Sequence, residues 1–381
     1  MSIPLLYLSR LGGLGGGETI LLTHLLALER TRFAPHVICG ANGALVDELR
    51  AHNVPATVIP FTPPYFKRGI VPIVSLDTLP RLAAYLRREK IALIHCNDLE
   101  SVYYAAPLAK AFHLPVVLTC LGWWLVDQKW KAHMVDKMVA RIVTPTCAIR
   151  NSLVQMLPRL AAKITLLPFG VDTREFAPRP LDPSVRAEFK LSQDAPLLTI
   201  LARFQSVKGH ANFLEALPKI LDAFPQTRVL FVGDAEFETR DATETRAEIY
   251  ARVMQEERLR NAIVFAGFRR DIPRILNATD LLVSPSWFET YGMAIVEAMA
   301  CAVPVVSTNV GGPSETMADG ETGFLIPPHD PETLAARVIE LLAQPELRQR
   351  FGKNARTRVE KQFALRDSVR TLESLYQMIL K

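Results

Sequence analysis

The stretch Ser284-Pro285-Ser286-Trp287-Phe288-Glu289-Thr290-Tyr291-Gly292-Met293-Ala294-Ile295-Val296-Glu297-Ala298-Met299-Ala300 decides how the chain is read. An apolar strand, residues 280–283, runs into a polar turn, and a helix is expected from Met293. A helix start leaves backbone N–H groups unpaired and carries a partial positive charge, which makes it a ready anion site. Gly292 lets an anion approach the backbone closely. Glu289 stands just before the helix start and Glu297 about one turn inside it. Carboxylates so placed suit the hydroxyls of a sugar or a ribose. Two solvated glutamates beside a helix start would give the same pattern, so the rest of the chain has to decide.

At 381 residues the chain is too long for one ordinary core, and two domains are expected. Its balance of 49% hydrophobic and 22% charged residues is that of a globular protein. The net charge of +5 is spread along the chain, so no nucleic-acid partner is implied. It fits an anionic ligand or an acidic membrane surface equally well. The cysteines, Cys39, Cys96, Cys120, Cys147 and Cys301, are odd in number, form no C-x-x-C pair and mostly lie in or beside apolar runs. They read as free thiols in a reducing cytosol. The first residues show no signal-peptide pattern, and the longest apolar run, 114–126, is too short to span a bilayer. A cytoplasmic protein, with peripheral contact at the inner face of a membrane as an option, is the expectation.

Outward from the opening stretch, short apolar strands alternate with amphipathic helices in both directions. In the first half, strands are expected at 3–8, 36–39, 57–59, 92–95, 116–119, 142–143 and 164–166. In the second half they are expected near 197–201, 229–232, 263–265, 281–283, 305–306 and 323–326. This alternation predicts α/β architecture with two parallel, doubly wound sheets and ligands beyond the carboxyl ends of the strands. The proline-rich segment 177–183 reads as the linker. Domains are therefore expected at 1–172 and 173–365, with a last helix near 366–381. After the first strand comes Gly12-Gly13-Leu14-Gly15-Gly16-Gly17-Glu18, a loop able to cradle an anion at a helix start. Its spacing fits G-x-G-x-x-G in no register, and no acidic residue ends the second strand, which argues against a dinucleotide site. In the second half, the turn from Arg203 to Lys208 and Gly209 places two cations at a strand's end, where a guanidinium fork and an ammonium suit a diphosphate. No D-x-D occurs, and no His/Cys/Asp cluster has metal-ligand spacing.

Taken together these residues resemble the retaining glycosyltransferases of the GT-B fold, in the "group 1" family that includes glycogen synthase and the phosphatidylinositol mannosyltransferases. The resemblance covers nearly the whole chain. Its most specific part is Glu289 and Glu297 followed by Ala298-Met299-Ala300-Cys301-Ala302-Val303-Pro304-Val305-Val306, then Gly311-Gly312-Pro313-Ser314-Glu315, then Asp319-Gly320-Glu321-Thr322-Gly323-Phe324-Leu325. The turn Arg203 to Gly209 matches the family's phosphate-binding turn, and Gly267-Phe268 its nucleobase loop. The resemblance implies two Rossmann-like domains facing each other across a cleft, and a last helix crossing back to the first domain. It implies that Arg203 and Lys208 bind the donor diphosphate, that Glu289 contacts the transferred sugar and that Glu297 binds the ribose. Backbone amides at Gly292, Met293 and Ala294 hold sugar or phosphate oxygens. Gly15, Gly16 and Gly17 close over the diphosphate, and Phe268 or Arg269 lies beside the base. The reaction implied is transfer of a hexose from a UDP- or GDP-sugar to a glycan, lipid-linked or small-molecule hydroxyl, with no metal and no cofactor beyond the nucleotide sugar as co-substrate.

The chain departs from the family pattern in the first half. Where a T-x-H-G sequence is common, this chain has Thr119-Cys120-Leu121-Gly122, with Leu121 in the histidine's place. His95 and Asp98, at another strand end, are candidates for the acceptor side, although a buried structural histidine is the favoured reading. Trp123, Trp124 and Trp130 cluster with Lys129, Lys131 and Lys137, and Met134 and Met138 share a helical face with Trp130. Tryptophan beside lysine suits a membrane interface or the border of an acceptor site, while a helix whose tryptophans pack on its own domain is favoured over the membrane contact. Two other classes stay open: a sugar-nucleotide isomerase of the 2-epimerase type, and a non-catalytic nucleotide-sugar binding protein.

Overall fold

The strand series build two separate sheets. The computed structural model describes residues 2–61, 65–67, 71–73, 77–122, 128–234 and 246–381. It divides into one unit of Met1–Gly170 with Leu365–Lys381, and a second of Val171–Ala364. The division falls two residues before the boundary expected after Asp172. Val171 bridges Ala364, and its N–H donates to Phe363 O at 2.9 Å, so the chain enters and leaves the second unit side by side.

The strands of the first unit are β1 (Ile3–Ser9), β2 (Phe33–Cys39), β3 (Ala56–Val58), β4 (Tyr65–Lys67), β5 (Val71–Ile73), β6 (Leu93–Cys96), β7 (Val116–Thr119), β8 (Arg141–Thr144) and β9 (Ile164–Leu166). Seven of them form one sheet in the order β3-β2-β1-β6-β7-β8-β9, and every pairing in it is parallel. Alternate residues of a strand point to opposite faces. Leu6 and Leu8 thus join one core cluster with Ile94, Leu118 and Ile142, while Leu5 and Tyr7 join another with Val37, Leu93 and Val117. Both faces are buried, which is why these strands read as continuous apolar runs. β4 and β5 form a separate antiparallel pair that no expectation covered.

The second unit holds β10 (Leu197–Leu201), β11 (Arg228–Val232), β12 (Ile263–Gly267), β13 (Leu281–Ser284), β14 (Val305–Thr308) and β15 (Gly323–Ile326). Their order is β12-β11-β10-β13-β14-β15, again parallel throughout. The order reverses at β10 and β13, so the loops after these two strands emerge side by side, as ligand-binding loops of such sheets do. Those loops carry Arg203–Lys208 and Phe288–Gly292. Among the described residues no helix is long and apolar enough to cross a membrane.

The last helix, Leu365–Leu380, belongs to the first unit. Val369, Leu372, Leu375 and Tyr376 complete the core beside Leu5, Tyr7 and Val37. Polar groups accompany them. The Tyr376 hydroxyl meets Tyr7 Oη at 2.8 Å and His95 Nδ1 at 2.5 Å, and His24 Nε2 meets Ser368 Oγ at 2.8 Å.

Candidate active site

The turn after β10 ends in a short 3-10 segment, Ser206–Lys208, and Gly209 starts the helix His210–Ala223. The turn after β13 ends at Gly292, in left-handed conformation, which starts the helix Met293–Ala300. The two turns lock together. Trp287 N–H donates to Val207 O at 2.8 Å, and a β-carbon on Gly209, whose φ is +70°, would stand 2.0 Å from Pro285 O. From the far side, Gly312 N–H donates to Glu289 O at 2.9 Å, and a β-carbon on Gly311 would stand 2.0 Å from the same oxygen. Only glycine lets these backbones approach, which is the physical reason for the glycines at 209 and 311.

This clasp brings Lys208 Nζ to 2.7 Å from Glu289 Oε2. The side chains are only 20% and 16% exposed, so the pair is little screened. Glu289 Oε1 also accepts from Gly292 N–H at 3.2 Å. Burial pushes the Glu289 carboxyl up, but the Lys208 charge and the hydrogen bonds from Lys208 and the backbone at Tyr291 and Gly292 outweigh it. The group is held below the usual glutamate range and stays ionised. Met293 and Ala294 open the helix, and their N–H groups have no acceptor within it. One turn on, burial pushes the Glu297 carboxyl up to about 7, with Glu175 a second cause. Glu297 has no side-chain hydrogen bond among the described residues, and neither has Arg203. The second unit thus assembles an ion pair, an unpaired guanidinium, free helix amides and a carboxylate poised near neutrality.

Phe268, expected beside a base, is 49% exposed in the loop after β12. Arg269 is already engaged. Its guanidinium grips Asp271 at 2.8 Å through two nitrogens, pairs with Glu188 and lies over the Phe189 ring. Of the two residues left open at this loop, the accessible ring is Phe268.

In the first unit Gly15 caps the helix Gly16–Ala27 with no side-chain hydrogen bond of its own, and Glu18 stands in the first turn. His95 does not face a site. It is 4% exposed, Nδ1 meets Tyr376 and Nε2 meets Thr119 Oγ1 at 2.6 Å, so both nitrogens are spent inside the core. Burial lowers its pKa to about 3, and it remains neutral. Asp98 is likewise consumed. It caps the helix Leu99–Phe112 by accepting from Ser101 N–H and Oγ at 2.7 Å each, and it takes Arg10 N–H at 2.7 Å. These two acceptor-side expectations are corrected to structural roles. Trp123 and Trp124 lie outside the described residues. Met134 and Met138 pack against the core of the first unit, so the apolar face expected to meet a membrane is turned inward.

Residues 182–358 match the family described as glycosyl transferases group 1, and residues 14–175 match glycosyltransferase family 4. The chain belongs to the group 1 glycosyltransferases. Spore coat protein SA of Bacillus subtilis is 29% identical over 312 residues, 78% of this chain and 81% of that protein. A galactosyltransferase of Escherichia coli, "UDP-Gal:alpha-D-GlcNAc-diphosphoundecaprenol alpha-1,3-galactosyltransferase", is 23% identical over 95% of this chain and 94% of its own. Among solved structures, Anabaena Alr3699/HepE in complex with UDP has a TM-score of 0.84 at 22% identity, covering 99% of this chain and 100% of that one. The fold is GT-B, with two Rossmann-like domains.

Proposed function

We propose that this chain moves a hexose from a uridine diphosphate sugar to an acceptor hydroxyl, with retention at the anomeric carbon and without a divalent metal. The observation that carries it is the Lys208–Glu289 pair at the start of the helix Met293–Ala300. The Escherichia coli relative named for UDP-galactose and the Anabaena protein solved with UDP favour uracil over guanine. In the reaction the bond from the anomeric carbon to the phosphate oxygen breaks, and a bond to the acceptor oxygen forms on the same face. The acceptor's proton passes to the departing phosphate. Charge grows on the diphosphate, and fixed cations and amides aimed there lower the barrier. Lys208, Arg203 and the amides of Met293 and Ala294 take that role. Glu289 holds a sugar hydroxyl, Glu297 the ribose, and Phe268 borders the base.

Purified protein with UDP-glucose or UDP-galactose and a panel of hydroxyl acceptors tests this. UDP release that depends on an acceptor, persists in chelator and yields an α-linked product is the expected result. Interconversion of the sugar without release points instead to an isomerase, and binding without turnover to a sensor. Turnover lost in chelator and restored by magnesium or manganese removes the metal-free part.

The finer reading adds peripheral contact with an anionic membrane through the exposed Lys129 and Lys137 of the helix Lys129–Met138. Co-sedimentation with anionic vesicles at low salt, lost at high salt, is expected. Equal binding by a Lys129→Glu, Lys137→Glu variant rules it out.

A further inference from the structure

The helix Leu99–Phe112 carries only small side chains along one stretch of its surface. Ala106 and Pro107 stand there, and the helices Thr78–Arg88 and Lys129–Met138 pack on either side. Small residues leave space, and a cavity of about 610 Å³ lies over them. That size falls in the roughly 300–1,000 Å³ range of small-molecule sites. Leu79 of the first neighbour and Met138 of the second give it apolar walls. Leu114 adds a third. His113 ends the helix in left-handed conformation, and Leu114 N–H returns to Ala109 O at 2.9 Å, which folds Leu114 back against the helix end. All three of these wall residues are only partly buried against the core of the unit.

Two cations border the same space. Lys110 and Lys137 both line it and both are exposed, and neither forms an ion pair among the described residues. Asp136, beside Lys137 in the chain, does not serve, because its carboxylate takes Arg159 at 2.6 Å and Lys163 at 3.3 Å. Among the described residues no acid lines the cavity. Lysines in the last turn of a helix answer its dipole, but that explains neither the apolar floor nor the missing counter-charge. Lysine stems can lie along an apolar surface and carry the charge to its edge. Lys110 and Leu114 lead into the start of β7, and Lys137 and Met138 into the start of β8. This end of the cavity therefore lies at the amino ends of the strands, opposite the loops that hold ligands in such sheets.

We infer that this cavity binds a single-chain amphiphile with an anionic head group, its chain over Ala106 and Pro107 and its head on Lys110 and Lys137. An apolar floor alone would take any oily molecule, and two unpaired lysines alone would take any anion. Together they select a molecule that is both. The inference goes beyond the proposed function and does not rest on it, since no residue of the donor site takes part.

The test titrates the full chain calorimetrically with dodecanoate below its micelle concentration, with decanoate, and with dodecyltrimethylammonium as a cation of the same tail. Saturable binding of a single dodecanoate per chain is expected, with decanoate weaker by roughly fourfold or more for its shorter tail. The cation should bind more weakly than dodecanoate. Lys110→Glu, Lys137→Glu reverses the charge at the edge and should weaken dodecanoate by roughly threefold or more, while the cation gains. Ala106→Trp fills the cavity and should abolish binding of both. Thermal melts show that each variant is folded, and Ala106→Leu takes the place of Ala106→Trp if that variant is not. The proposal needs both losses. A folded variant of either kind that binds dodecanoate as the wild type does overturns it, and so does a wild type that binds none. A dimer that Ala106→Trp dissolves, or an acidic helical peptide that binds where dodecanoate does not, gives the cavity to a second copy or to another protein and overturns it as well.

Discussion

Lys208 and Glu289 are each other's partner, and that pairing sets what a substitution does at either position. A diphosphate arriving at Lys208 must displace one anion with another. Removing the carboxylate therefore frees the ammonium, while removing the ammonium leaves a buried carboxylate with backbone N–H donors but no counter-charge. Lys208→Ala is expected to lower kcat by roughly 10²-fold or more, the loss seen for a single preorganised donor. Glu289→Ala is expected to lower kcat while UDP affinity holds or tightens, because in the proposed reaction it removes a sugar contact and a competitor of the phosphate. Steady-state kinetics beside calorimetric UDP titrations measure both. If Glu289→Ala loosens UDP as much as it slows turnover, the carboxylate belongs to the nucleotide and not to the sugar.

The loops after β10, β13 and β14 act as one element because glycines let their backbones touch. Gly209 sits at φ +70° with its missing β-carbon 2.0 Å from a backbone oxygen, so an alanine there meets strain and a rigid obstacle together. The left-handed conformation alone costs about 1 kcal/mol for alanine, and displacing the Pro285 turn adds to it. At about 2–4 °C per kcal/mol for a unit of this size, Gly209→Ala is expected to lower Tm by several degrees and to cut turnover by moving Lys208. Gly16→Ala makes the contrast, since its β-carbon meets nothing within 4 Å and alanine favours a helix. Its Tm is expected to hold or rise. Thermal melts of the two variants side by side check this, and an unshifted Gly209→Ala would mean that the turns are not rigidly coupled.

Across the whole first unit, the last helix is held by a buried polar chain as well as by apolar packing. His95 stays neutral there, with its pKa lowered to about 3 from an ordinary 6.5. The unfolded chain takes up a proton as pH falls below about 6.5, while folded His95 refuses it until about 3. Its contribution is thus fully present above pH 6.5 and is lost progressively as pH falls toward 3. The full window is worth several kcal/mol in order of magnitude. His24, also lowered by burial, acts in the same direction. Denaturant unfolding at about pH 7.5 and at about pH 5 should show wild type losing stability faster than His95→Gln as pH falls. The glutamine variant, less stable at neutral pH, should show a flatter profile; parallel profiles would remove His95 from the account.

The sequence by itself determined the two strand-and-helix series, the parallel sheets and the places of Arg203, Lys208, Glu289, Gly292 and Glu297. Each of these is local: a strand's period, a glycine at a turn, an acid a set number of residues from a helix start. Only the tertiary structure decided which polar groups are spent and which are left over. His95 is claimed by Tyr376, 281 residues away, and Arg269 is claimed in part by Glu188, 81 residues away. Lys208 finds Glu289 across 81 residues. A histidine and an arginine at strand ends look alike as candidates along the chain. Partners brought from distant segments took both into the scaffold. Hydrogen-bond satisfaction is a property of the packed molecule, and no spacing in the sequence records it.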